Sequence, residues 1–407
     1  NTRVGSMSDF DKLTLEVWTD GTIAARDAVS LGARILCDHF MLFTDLSETM
    51  GSKSTVVEKS PDIRDKVQKF TTDEEFFEKS GVDLVMIEVP HFQHADLAIM
   101  AMNHGMHFNV EKPLCVHKAD AERLLAECAK HPELVKGIML NQRTRDAHIK
   151  IKNLIESGDL GEIRRVNWII TDWYRTQYYY DSGDWRASWR GEGGGVLTNQ
   201  CPHQLDLMTW LFGMPKLVDA HIFLGKYHDI EVEDEVNAYL EYPNGATGNF
   251  ITTTGEAPGT NRLEIAAEHG RIVFEDNKLL YKRHAVATQD DIRNSKNAFR
   301  IPETWDCEIH FDPDYGTAQN QHMRVLANVC DAILHGAALR APVEEGIKGL
   351  ELANAMMLSG FLKKPVTLPL DSSIYAAKLQ ELIATSRYPK KVVADNSGAA
   401  DGFSSSF

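Results

Sequence analysis

The hydrophobic rhythm of this chain changes once, near residue 140, and that change limits the folds open to it. Before it, apolar runs (Leu84 to Val89, Met106 to Val110, Lys136 to Leu140) alternate with amphipathic helical patterns (Asp73 to Ser80, Ala95 to His104, Lys118 to His131). Strands separated by helices pair in parallel and are covered on both faces, so this half predicts a doubly wound α/β sheet. Asp146 to Ser157 reads as one more helix. From Ile163 the runs lengthen and alternate: Arg164 to Trp173, Ala220 to Leu224, Glu235 to Tyr242, Thr247 to Thr254, Leu263 to Ala267 and Arg271 to Glu275. Pro243-Asn244-Gly245 and Glu268-His269-Gly270 stand between such runs as hairpin turns. Alternation with period two buries one face only, so this half predicts an α+β domain with a mostly antiparallel, open-faced sheet. The expected domains are 7–140 and 141–388, with 389–407 as a mobile tail and Gln289 to Asp314 as a long loop.

Composition narrows the partners. The 407 residues suffice for two domains with sizeable cores. Lys and Arg number 43 against 59 Asp and Glu, a formal charge of −16, which argues against nucleic acid or an anionic membrane as partner. No apolar run reaches the roughly 18 residues of a membrane span, and no basic-then-apolar leader opens the sequence. Six cysteines without a Cys-x-x-Cys pair read as reduced thiols of a cytoplasmic protein. No metal site is expected, since His91, His94, His104 and His107 lack the His-x-x-x-His spacing of a zinc site.

Chemistry concentrates in two motifs. Gly193-Gly194-Gly195 lets the backbone turn closely against a ligand, and Asn199, His203 and Asp206 follow at spacings that share one face of a helix ending at Gly213. A lone histidine on such a helix is more often structural; the glycine run and the second motif favour proton transfer. The second motif is Glu111-Lys112-Pro113, placed where a strand ends, so that proline constrains the direction of the lysine.

With these motifs, the chain resembles the glucose–fructose oxidoreductase / inositol dehydrogenase / MocA (Gfo/Idh/MocA) family. The likeness extends to Val82 to His94, ending in Pro90-x-x-x-His94, to Gly158-Asp159-Leu160-Gly161-Glu162-Ile163, and to Asp181 to Trp189, similar to a branch acting on sugars and glycosides. The resemblance implies a Rossmann-type first domain that binds NAD rather than NADP, and a cis Lys112–Pro113 peptide. Leu13 to Trp18 would be its first strand, with Gly21, Thr22, Ile23 and Ala24 at the pyrophosphate and Asp38 at the adenosine ribose. Thr19 and Asp20 depart from the family's glycine fingerprint, and Asp20 adds repulsion, which predicts weaker binding. Between Asp38 and a strand expected at Val67 to Phe70 lie 28 residues, more than one helix needs. Pro90, His94, Glu111 and Lys112 would line the nicotinamide side.

Lys112, His203 and Asn199 form the implied catalytic set. His203 is the general base, Lys112 a donor to the reacting oxygen, and Asn199, where many relatives carry an aspartate, an orienting or substrate-binding amide. With His203 as base, oxidation is expected to speed up with pH through the neutral range. Arg143, Tyr174, Tyr178, Tyr179, Trp185 and Arg186, with Asn199 and His203, have the composition of a sugar site, aromatic faces covering C–H faces and arginine forks binding hydroxyls. A sugar, glycoside or polyol is the expected substrate, and a homodimer or homotetramer joined through the open sheet the expected assembly. Two alternatives stay open: a glycoside-cleaving or epimerising enzyme that recycles bound NAD, and a non-catalytic sugar-binding subunit that has lost its cofactor.

Overall fold

A computed structural model describes residues 67–312 and 318–387, and the described residues from Phe70 onward form one compact unit. Helix α1 (Asp73–Lys79) starts where the Thr72 side chain accepts the Glu75 N–H, with Asp73, Glu74 and Glu75 in its first turn and Lys79 in its last. Side-chain caps and charges so placed offset the helix's own dipole. Strand β1 (Leu84–Ile87), helix α2 (His94–Asn103), strand β2 (His107–Val110), helix α3 (Lys118–Cys128) and strand β3 (Lys136–Ile138) follow. The three strands pair in parallel in the order β1-β2-β3. Phe108 and Val110 of β2 are fully buried among Ala98, Met102, Leu124 and Ile138, the core expected of apolar strands covered by helices. The strand expected at Val67 to Phe70 is absent: Val67 is 54% exposed, and Phe70 packs edge-on against Phe76 instead of joining a sheet.

Helix α4 (Asp146–Glu156) leads into β4 (Ile163–Ile170), and a short helix α5 (Gln177–Asp181) and helix α6 (Pro202–Phe212) precede β5 (Leu217–Leu224). Next come β6 (Glu233–Glu241), β7 (Thr247–Thr253), β8 (Asn261–Ala267), β9 (Gly270–Glu275) and β10 (Lys278–His284). The segment expected as a long loop holds helix α7 (Thr288–Asn294) and strand β11 (Thr304–Glu308), which pairs with β10. All five residues of β11 are exposed, so no alternation marks it in the sequence. Helices α8 (Ala318–His335) and α9 (Gly346–Leu362), strand β12 (Val366–Thr367) and helix α10 (Ser372–Ala384) complete the α-helices and strands of the described residues.

These strands form one nine-stranded sheet in the order β11-β10-β9-β8-β4-β7-β6-β5-β12. All pairs are antiparallel except β4 with β7. The hairpin at Pro243-Asn244-Gly245 forms as expected: Gly245 takes φ +89° and the Asn244 side chain accepts the Ala246 N–H at 3.1 Å. On the core face α9 packs against α6 nearly backbone to backbone, because a Cβ on Gly349 would come within 3.0 Å of the Asp206 nitrogen. The opposite face is polar, with Arg262 paired to both Glu264 and Glu275 and Arg165 to Glu264. Among the described residues no helix is long and apolar enough to cross a membrane.

Candidate active site

In open α/β sheets, ligands bind beyond the carboxyl ends of the strands. Beyond β1 lies exposed Pro90, and beyond β2 lie half-buried Glu111 and Lys112. The Lys112–Pro113 peptide is cis, as the resemblance implied. The Lys112 backbone N–H donates to the Glu111 carboxylate at 3.1 Å, and the ammonium donates to the Asn199 carbonyl at 2.9 Å. Desolvation lowers the Lys112 pKa below the usual lysine range, while Glu111 and Glu192 counter it.

His94 is fully buried, and its ring nitrogens meet the carbonyls of Pro113 at 2.8 Å and Val89 at 2.9 Å. Burial lowers its pKa, and the neutral ring carries one N–H, so it donates to one of these carbonyls while its other nitrogen faces the second without a hydrogen bond. His94 lies between the loops that follow β1 and β2.

The glycine run also works inward. Gly193 takes φ +85°, and a Cβ there would strike Val116; at Gly194 it would strike Thr198, and at Gly195 the Glu233 carbonyl. Glu233 holds three successive amides, its carboxylate accepting from Gly195 at 2.9 Å and Leu197 at 3.0 Å and its carbonyl from Val196 at 3.0 Å. The backbone therefore turns closely against the protein itself rather than against a ligand. Burial pushes the Glu233 carboxyl up to about 7.

This clamp sets the start of α6. Pro202 stands at its first turn, where a missing N–H costs nothing. Asn199 consequently lies in the preceding turn, not on the helix face with His203 as expected; its N–H donates to the Gly195 carbonyl at 2.9 Å. The Asn199 side-chain amide donates to the Glu192 carboxylate. His203, in the first turn of α6, is 8% exposed, and its Nδ1 has no hydrogen-bond partner in the protein. Burial, then the nearby Lys112 ammonium and His322, hold its pKa well below 6.5, so the ring is neutral at neutral pH. A neutral imidazole with an orphaned nitrogen, beside an ammonium, fits a hydroxyl that must give up a proton.

Two expected groups divide. Arg143 is not available to a sugar: it donates to Asp206 twice, at 2.9 and 2.6 Å, to Glu345 at 3.3 Å and to the Arg340 carbonyl at 3.3 Å. Asp206 is thereby committed to Arg143 and not to His203. Tyr179, Trp185 and Arg186 do assemble. The Arg186 guanidinium lies 4.6 Å from the centroids of both rings and donates to the Tyr179 hydroxyl at 2.8 Å. Trp185 meets His91 edge-on, and the Arg186 charge is felt by Lys112, so this cluster borders the lysine. Tyr174 and Tyr178 are 50% and 46% exposed. The sequence singled out neither Glu233 nor His322, and gave Glu192 and His91 no role in the site. Only the position of Glu192 beside the glycine run offered a signal.

Gly21, Thr22, Ile23, Ala24 and Asp38 lie outside the described residues. Of the residues expected at the nicotinamide, Pro90, Glu111 and Lys112 stand past the carboxyl ends of β1 and β2, where an open α/β sheet receives its ligand.

Known proteins bear on both parts of the chain. Residues 32–136 match the oxidoreductase family with an NAD-binding Rossmann fold (GFO/IDH/MocA), and residues 148–273 match the GFO/IDH/MocA C-terminal domain. The WlbA dehydrogenase of Chromobacterium violaceum, solved with NADH and UDP-GlcNAcA, is 25% identical with a TM-score of 0.64, over 77% of this chain and 85% of that one. Its Bordetella pertussis counterpart shares the fold at 23% identity and TM-score 0.62, over 76% of this chain and 86% of that one. A levoglucosan dehydrogenase solved with NADH and levoglucosan shares the fold at 21% identity and TM-score 0.62, over 74% and 83% of the two chains.

The first residues point elsewhere. Residues 2–40 match the RNA polymerase Rpb3/Rpb11 dimerisation domain. A 74-residue stretch is 50% identical to the DNA-directed RNA polymerase subunit alpha of Moorella thermoacetica, covering 18% of this chain and 24% of that protein. The chain thus spans about a quarter of the length of the curated relatives it matches. The turn read at Gly21 to Ala24 falls inside this polymerase-like stretch, and the oxidoreductase match begins only at residue 32. From the parallel strand ends, the cis lysine and the two family matches, the chain belongs to the Gfo/Idh/MocA oxidoreductase family.

Proposed function

We propose that the protein is an NAD-dependent oxidoreductase that removes a hydride from a ring-hydroxyl carbon of a sugar or glycoside. The observation that carries this reading is a neutral His203, its Nδ1 without a protein partner, close enough to the Lys112 ammonium to feel its charge. NAD, when bound, supplies the hydride acceptor. The chain's own residues handle the oxygen and its proton. His203 takes the hydroxyl proton on a ring nitrogen, and Lys112 donates a hydrogen bond to the oxygen as negative charge develops there. Asn199 orients Lys112 through its carbonyl. Pro90 and Glu111 face the nicotinamide, and Tyr179, Trp185 and Arg186 receive the sugar. Asp38 would favour NAD over NADP, because a carboxylate repels a 2′-phosphate. Copies of the chain pair through the open sheet face, and the free thiols of Cys115, Cys128 and Cys201 suit a reducing, cytoplasmic setting.

A second reading, a sugar-binding subunit without cofactor, is favoured by the polymerase-like residues 2–40 where a phosphate turn would stand. Calorimetric titration with NAD and NADP, followed by NADH absorbance with a panel of sugars and glycosides, separates them. NAD binding tighter than NADP, with NADH appearing on one sugar, is the expected result. Sugar binding without NAD binding would replace the enzyme by the subunit. NAD binding with sugar conversion but no net NADH would point to internal recycling.

A further inference from the structure

The catalytic pair leaves one buried acid unexplained. Glu192 is 2% exposed, directly before the glycine run, and both of its carboxylate oxygens accept N–H groups: one from the Asn199 side chain, the other from the Ala187 backbone at 2.6 Å. Burial raises the Glu192 pKa above the ordinary carboxyl range, while two N–H donors, one on each oxygen, and the Arg186 and Lys112 charges favour the ionised form. Its backbone carbonyl meets His91 Nδ1 at 3.2 Å, and Asn199 in turn receives the Lys112 ammonium on its carbonyl at 2.9 Å. Asn199 therefore sits between a carboxylate and an ammonium, with its side chain turned to one and its backbone to the other.

We propose that Glu192 is the positioning carboxylate of this site, holding the Asn199 turn in place and supplying the negative charge that keeps Lys112 protonated. The proposal deepens the oxidoreductase reading and rests on it for its functional meaning. An aspartate at position 199 would meet Glu192 at hydrogen-bond distance, two like charges in a buried place. The amide at Asn199 is what allows the carboxylate to stand at Glu192 instead. Around Lys112 the Glu111 and Glu192 carboxylates favour the ammonium, while burial and the Arg186 guanidinium oppose it; the Cys201 thiol, pushed up to about 12 by burial, is neutral. His91, His94 and His203 each feel the Lys112 charge and are pushed toward the neutral form, so they add no competing positive charge at neutral pH.

The test reads Lys112 itself and needs neither cofactor nor substrate. The full chain and its variants are labelled with an amine-reactive acyl reagent across pH, and modification of Lys112 is followed by mass spectrometry, with thermal melting as the control for folding. Glu192→Gln keeps the shape and the acceptor for Asn199 but removes the charge. Its Lys112 labelling midpoint should move to lower pH, and labelling at neutral pH should quicken several-fold. The double variant Glu192→Gln/Asn199→Asp exchanges carboxylate and amide between the same two positions and should bring the midpoint back toward that of the parent. A Lys112 midpoint unchanged in folded Glu192→Gln overturns the proposal, whatever the enzyme's turnover. A shifted midpoint in a protein that converts no sugar would leave the role of Glu192 standing and remove the oxidoreductase reading.

Discussion

Two charged clusters flank helix α6, and they differ in how far their polar groups are paired. Arg143 and Asp206 close on each other with two hydrogen bonds, and Glu345 and the Arg340 carbonyl take two more of the five guanidinium N–H groups. The Arg143 side chain also lies 5.5 Å from the Trp210 ring centroid. Less than a turn earlier, His203 keeps a buried nitrogen unpaired, and Lys112 reaches a backbone carbonyl rather than a carboxylate. His203 is buried much as Asp206 is, while Lys112 is half-buried. A buried ion pair whose partners are committed to each other serves as scaffold. A buried imidazole with an unpaired nitrogen is held at a cost that a bound hydroxyl can relieve.

The contrast breaks most visibly at His203. His203→Ala should lower kcat by roughly 10²–10⁴-fold, the usual worth of a positioned base, with the melting temperature little changed. The pH profile supplies the sign. Because the His203 pKa lies well below 6.5, the base is already neutral at neutral pH, so the rate stays flat there and falls only in acid as the ring takes a proton. This moves to the acid side the rise that sequence alone places in the neutral range; burial, absent from an unperturbed imidazole, is the reason. The rate should fall again in alkali as Lys112, its pKa already below the usual lysine range, loses its proton. Steady-state rates of parent and variant across pH check both limbs. An acid limb that survives in His203→Ala would assign it to another group.

At the Arg143–Asp206 pair the same kind of change should act on the fold. Arg143→Ala strands Asp206 in the core, and removing one partner of a buried pair costs about 3–5 kcal/mol. Denaturant unfolding should record that loss, while the folded fraction keeps its KM for the sugar. A raised KM with unchanged stability would return Arg143 to the substrate site.

The smallest effect is expected at Tyr179. Tyr179→Phe removes the hydroxyl that receives Arg186 at 2.8 Å but keeps the ring beneath the guanidinium. A net hydrogen bond of about 0.5–1.5 kcal/mol predicts a KM higher by roughly two- to tenfold, with kcat nearly intact. An unchanged KM for every sugar converted would separate the aromatic cluster from substrate binding.

Much of this was legible before any coordinates. Apolar strands alternating with helices predict the parallel β1-β2-β3 sheet, and period-two runs predict the antiparallel one, because periodicity states how many faces an element buries. The glycine and asparagine of the Pro243 hairpin and the proline at the start of α6 are read directly, since each encodes a backbone conformation within its own residue. Strand β11 escaped because an exposed edge strand carries no alternation.

Partner choice, by contrast, was decided by the tertiary structure. Arg143 and Asp206 stand 63 residues apart, and Glu233 lies 38 from the Gly195 amide it clamps. Nothing local says that an arginine after a strand will meet an aspartate on a helix instead of a sugar, or that a glycine run will close on a glutamate instead of a phosphate. The sequence by itself determined which residue types are present and which faces are apolar, because those follow from short-range chemistry. Which buried charge is satisfied and which is left for a ligand depends on distant segments converging in space, and only the fold decides that.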